Sequence, residues 1–135
     1  MGEHPPATPA IGAMALGLRF QVRHFWLHAL PMLYQGHVEE VKMECRGVMV
    51  VDDLKLMYAL PGIPDDGKRV DVDYYQIKFH VSQADHANAK ALINPKWTGT
   101  KEPMLKRFWQ AWNELCQPTV NPRLILRTNW PLDYA

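Results

Sequence analysis

Apolar residues recur at helical spacing from about Leu18 to Tyr34, where Leu18, Val22, Phe25, Trp26, Ala29, Leu30 and Leu33 make one broad stripe. That stripe is expected to be buried, with Gln21, His24 and His28, at i, i+3 and i+7, on the other, polar face. Pro31 has no N–H to donate, so a kink or an early end is expected there, and Gly36 is a natural stop. From His37 to Arg46 the period shortens to two. Val41, Met43 and Cys45 alternate with Glu40, Lys42 and Glu44, as in a half-buried strand. Arg46-Gly47 reads as a tight turn into a second strand, Val48–Tyr58. The segment Leu60–Lys68, LPGIPDDGK, reads as a loop, and a third strand spans roughly Val70–Val81. These three strands with short connections predict an antiparallel meander.

Beyond the meander, a short helix is expected near His86–Ile93, with Ser82 or Asp85 at its start, and an irregular stretch over Pro95–Gly99. Thr100-Lys-Glu-Pro then opens a clear helix, because proline and an acid both suit a first turn. Met104, Leu105, Phe108, Trp109, Trp112, Leu115 and Cys116 supply its apolar face, with the aromatic residues expected in the core. Arg123–Arg127 is a last short strand. A helix between the third and last strands lets those two run parallel. The pattern as a whole predicts an α/β fold, a mixed four-stranded sheet flanked by helices.

The 135 residues suffice for one domain. Residues 1–17 lack a basic segment followed by an apolar core, and read as a flexible tail ahead of a domain spanning 18–135. A net charge of +1 excludes a general basic field, so affinity for nucleic acid has to come from a local cluster such as Lys96, Lys101, Lys106 and Arg107. Cys45 and Cys116 have no CxxC spacing, read as small buried hydrophobes, and suit a reducing cytoplasm. No apolar run approaches the roughly 18 residues of a membrane span.

The polar residues inside the strands carry the candidate chemistry. Asp52 and Asp53 interrupt a run of Val and Leu. Gln76, Lys78 and His80 share one face of the third strand, and Tyr75, Ile77, Phe79 and Val81 the other. An aspartate facing a Gln-x-Lys suits a hard divalent cation with an ammonium beside it, the arrangement used in metal-assisted phosphodiester cleavage. Parity favours Asp53, which shares the more polar face with Lys55; a single bulge would exchange it with Asp52. Gln76 offers an amide oxygen, the Ile77 carbonyl another ligand, Lys78 a charge for the phosphate or the attacking water, and Glu44 an extra carboxylate. The Asp53, Gln76 and Lys78 head groups are expected to converge within about 4–6 Å. Set against this, Asp52-Asp53 suits a solvated strand end, Lys78 an edge-strand lysine, the histidine row an ordinary polar helix face and His80 the surface.

The order Glu44, Asp52-Asp53, Tyr75-Gln76-Ile77-Lys78 resembles the PD-(D/E)XK, or restriction-endonuclease-like, nuclease superfamily, in the variant with glutamine for the last acid. More narrowly it resembles the endonuclease effector domains at the N-terminus of bacterial anti-phage proteins, the cyclic-oligonucleotide-activated (CBASS) effectors and STAND-type defence ATPases. The segments FQVRHFWLHAL, MLKRFWQAW and RLILRTNWPLD carry this narrower likeness, which spans about Leu18 to Asp133. The resemblance implies a Mg²⁺-dependent endonuclease acting on double-stranded DNA in the cytoplasm. Asp53 or Asp52, Gln76 and Lys78 would form the catalytic and metal set, with Glu44 or Gln21 helping. It also implies a C-terminal sensor or ATPase region in a longer parent protein, and homo-oligomeric assembly so that both strands are cut. Glutamine in place of the acid removes one negative ligand.

Overall fold

A computed structural model describes residues 9–44, 53–80, 88–98 and 101–130. Four strands form a mixed sheet in the order β1 (Val38–Met43), β2 (Leu54–Tyr58), β5 (Val72–Lys78), β6 (Pro122–Thr128). β1–β2 and β2–β5 pair antiparallel, and β5–β6 pairs parallel, as the intervening helix allowed. One face of the sheet carries helix α1 (Pro9–Gln35), which packs through Phe20 and Phe25 on Leu54, Leu56, Tyr75 and Ile77. The other face carries α4 (Met104–Leu115), where Met104 and Ala111 meet Tyr74, Leu124 and Leu126. Alternation along β5 and β6 separates these two cores, so helices flank the sheet on both faces.

Several boundaries differ from those expected. α1 begins at Pro9, inside the segment assigned to the tail. Proline fits a first helical turn, and the Ala-, Met- and Leu-rich stretch after it favours helix. The helix also runs through Pro31 and stops only before Gly36, whose φ is +62°. The turn at Arg46-Gly47 and the start of the second strand at Val48 lie outside the described residues, as do Asp52, Cys45, Ser82 and Asp85.

The loop expected at Leu60–Lys68 contains a small hairpin, β3 (Ile63–Asp65) and β4 (Lys68–Val70). Asp66 and Gly67 turn it with φ of +47° and +76°, the left-handed pair that a two-residue hairpin of this twist demands. Gly62 sits so close to Val70 that a Cβ would lie 2.6 Å from its carbonyl oxygen. After β5 come α2 (Ala89–Ile93), capped by the Asn88 side chain accepting from Ala91 N–H at 3.0 Å, and the single turn α3 (Pro95–Thr98), where irregular chain was expected.

The inward faces of both long helices are also redistributed. Leu18, Val22, Trp26 and Leu30 are exposed, while Phe20, Gln21, His24, Phe25 and His28 lie toward the sheet. The face read as polar therefore points inward. Apolar residues surround α1 on all sides, so periodicity does not single out the face the sheet takes. On α4, Phe108 is core, but Trp109 is 64% exposed and Leu105 and Trp112 are exposed too. With Ile93 and Leu124 they line an apolar groove of about 670 Å³. Cys116 is exposed rather than buried.

Candidate functional site

β2 starts one residue after Asp53, and its register with β5 sets Leu54 opposite Tyr75. One step further along the antiparallel pair, Asp53 meets Gln76. Its Oδ2 accepts a hydrogen bond from the Ile77 backbone N–H at 2.6 Å and another from the Gln76 side-chain amide. Its Oδ1 accepts from Gln21 Nε2 of α1 at 3.1 Å. One carboxylate thus ties together the head of β2, the C-terminal half of β5 and the middle of α1. Gln76 is only 4% exposed, and a buried amide of that kind needs partners, which Asp53 provides.

Of the two aspartates, Asp53 is therefore the one whose carboxylate meets Gln76; Asp52 lies outside the described residues. Lys78 is half-buried, two residues beyond Gln76 on the same strand face, and pairs in register with Thr128. Glu44 lies just past the end of β1 at φ +50°. Its N–H donates to the Asp53 carbonyl at 3.2 Å, while its side chain is exposed. The chain thus brings Asp53, Gln76 and Gln21 into one bonded group, with Glu44 joined through its backbone, while Lys78 is placed only by its position two residues along β5.

Among the described residues no three His, Cys, Asp or Glu side chains gather into a metal cluster. Among the described residues the oxygen donors offered here include the Asp53 carboxylate and the neutral Gln76 amide, whose oxygen faces a cation when the amide is turned. Mg²⁺ takes one or two carboxylates and completes its shell with water and phosphate oxygens, so a set of this kind fits it. Zinc, which prefers nitrogen and sulfur, is not suited.

The basic residues expected to contact nucleic acid lie on or just before α4, on the other face of the sheet from α1. Lys101 is exposed, Lys106 is held by Glu102 at 2.5 Å, and Arg107 is half-buried. His80, expected at the surface, stacks on Trp130 with ring centroids 3.5 Å apart, and Asn129 clasps its backbone with two hydrogen bonds of 2.7 Å.

Two groupings escaped the sequence reading. At one end of the β5–β6 pair, Asp73 is fully buried and accepts from Arg123 Nε and Nη2, each at 2.8 Å, and from Tyr58 Oη. Arg123 also reaches Asp65 at 2.9 Å. Burial and the bond to Asp73 push the Tyr58 hydroxyl's pKa well up, and Arg123's own bonds to Asp73 raise that of the guanidinium. Parity held the signal: Asp73 shares the core face of Tyr75 and Ile77. The second grouping is His24, His28, Tyr75 and Arg127. Burial, then the Arg127 charge, lowers His24. Burial, then His24 and Arg127, lowers His28, whose ring lies 5.2 Å from that of Tyr75.

No family model matches the chain. Over 98 residues it is 38% identical to CD-NTase-associated protein 4 of Enterobacter hormaechei subsp. hoffmannii (strain UCI 50). The match covers 70% of this chain and 20% of that protein, so it spans about a fifth of the relative's length.

Proposed function

We propose that the chain is a Mg²⁺-dependent endonuclease domain that cuts double-stranded DNA in anti-phage defence. The observation carrying the proposal is the bonded group at Asp53. A carboxylate at the head of one strand faces Gln76 on the next, with Lys78 two residues on. The order of elements, α1, three antiparallel strands, α4 and a parallel β6, supports a restriction-endonuclease-like core. The likeness to a protein named for association with a CD-NTase supports the defence context. A bound magnesium ion would supply a polarised phosphate and a more acidic water. Asp53 and Gln76 would hold it through their side-chain oxygens, and the Ile77 N–H and Gln21 amide would keep the carboxylate aimed. Lys78 would place its ammonium against the phosphate or the attacking water. In a longer parent, a C-terminal sensor or ATPase region would govern the activity, and homo-oligomers would cut both strands.

A second reading is a catalytically silent module of the same fold that binds nucleic acid or docks a protein. That no three His, Cys, Asp or Glu side chains gather into a metal cluster among the described residues favours it. Plasmid nicking with Mg²⁺ against EDTA separates the two. Nicking by wild type that falls by about 10²-fold or more in Lys78→Ala supports the nuclease. No cleavage of DNA or of an RNA substrate supports the silent module, and cleavage of RNA alone moves the substrate from DNA to RNA.

A further inference from the structure

The row Gln21, His24, His28 on α1 begins at the candidate metal carboxylate and runs on to Tyr75 of β5, 5.2 Å from the His28 ring. His24 is one helical turn from Gln21, about 4.5 Å along the axis. On the sheet, Arg123, Ile125 and Arg127 alternate onto the α1 face; Ile125 joins the core there, and Arg127 at the end of the row is exposed. Arg127 pairs in register with Ile77, whose N–H holds Asp53. It therefore stands two inter-strand spacings from Asp53, about 10 Å across the sheet. Among the described residues Arg127 forms no ion pair; its guanidinium reaches the Tyr75 hydroxyl, a neutral partner, while the Asp73 carboxylate, four residues back along the ladder, is taken by Arg123. The aromatic neighbours Phe20 and Tyr75 fix both imidazoles from the side.

We propose that Arg127, with His24 beside it, is a second phosphate-binding point, which takes a backbone phosphate of the DNA strand a few nucleotides from the one at Asp53. This rests on the nuclease reading and names how that site would hold its substrate. Arginine's planar fork bonds two phosphate oxygens at once, and a neighbouring imidazole N–H adds a third donor. Phosphates recur every ~3.4 Å of axis on each strand, so a separation of about 10 Å meets a phosphate without distorting the duplex greatly. This second contact thus lies on the α1 face at the end of β6, whereas Lys106, on the α4 face, is already engaged by Glu102.

The test is binding of the chain to a short DNA duplex in Ca²⁺, which supports binding without turnover, measured by fluorescence anisotropy over a series of salt concentrations. Nicking of the same duplex in Mg²⁺ is followed in parallel. Arg127→Ala is expected to weaken binding about tenfold and to flatten the log–log salt slope by about 1. Arg127→Lys, which keeps the charge and loses the fork, should preserve the slope and recover part of the affinity. His24→Gln should weaken binding about threefold with the slope intact, and Arg69→Ala on the distant β4 should change neither. Wild type that binds and cuts, with Arg127→Ala unchanged in affinity and slope, overturns this inference alone. Binding that depends on Arg127 without any cutting overturns the nuclease reading alone. No duplex binding by wild type overturns both.

Discussion

Replacing Arg123 with alanine would leave the fully buried Asp73 carboxyl with Tyr58 as its remaining side-chain partner among the described residues. In the native protein this carboxylate accepts two bonds of 2.8 Å from one guanidinium and a third from the phenol. Stripping one partner from a buried ion pair costs about 3–5 kcal/mol, because the remaining charge keeps its desolvation penalty without its counter-charge. Arg123 is itself partly exposed, with a side chain at 33%, so the lower end, about 3 kcal/mol, is expected. Tyr58→Phe removes one charge-assisted hydrogen bond and should cost about 1.5–3 kcal/mol. Replacing both ion-pair members together, Asp73→Leu with Arg123→Met, removes the buried charge altogether and should cost much less than Arg123→Ala. Urea unfolding followed by tryptophan fluorescence measures this. With a slope near 2 kcal/mol/M, Arg123→Ala should lower the midpoint by about 1.5 M. A shift below about 0.3 M, or a double replacement worse than the single one, would refute the claim that a buried carboxylate is being neutralised there. The consequence reaches the candidate site, since the same ladder sets Asp73 against Arg123 and, four residues on, Ile77 against Arg127.

Two further outcomes follow from burial. His24 and His28 both sit below the ordinary histidine value of 6.5, burial being the first cause in each. The unfolded chain therefore takes up protons first: this part of the stability is complete above about pH 6.5 and is lost as pH falls through the lower folded values. His28→Gln should flatten that decline in the urea midpoint between about pH 7.5 and 5, and an unaltered pH profile would contradict it. Leu54→Ala, at 0% exposure, should cost about 2–5 kcal/mol, whereas Trp109→Ser, at 64%, should cost less than about 0.5 kcal/mol; equal losses in urea unfolding would mean that Trp109 is covered in solution.

The strands of the sheet and the faces of their polar residues were legible because period-two alternation is a local property. Val41 and Met43 against Lys42 and Glu44, and the Tyr75–Ile77 face against Gln76 and Lys78, are written in adjacent residues. The hairpin β3–β4 was not, because its strands are short, one contains Pro64, and its turn chemistry sits among other breakers. Cys116 and Trp109 were misplaced for another reason: an apolar residue near the end of a stripe is buried only if a neighbouring element reaches it.

From the sequence alone came the α/β class, a parallel last strand and an aspartate set opposite Gln76, all of which rest on short-range spacing and on the rule that a helical crossover permits parallel strands. The tertiary structure decided which aspartate meets Gln76, because that depends on the β2–β5 register to the single residue. It also decided which way α1 faces, a choice that a helix apolar all round leaves to packing, and that turned Gln21 onto Asp53 and the histidines toward Arg127. Contacts between residues far apart in the chain, such as Arg123 and Asp73, follow from strand order, which no local pattern encodes.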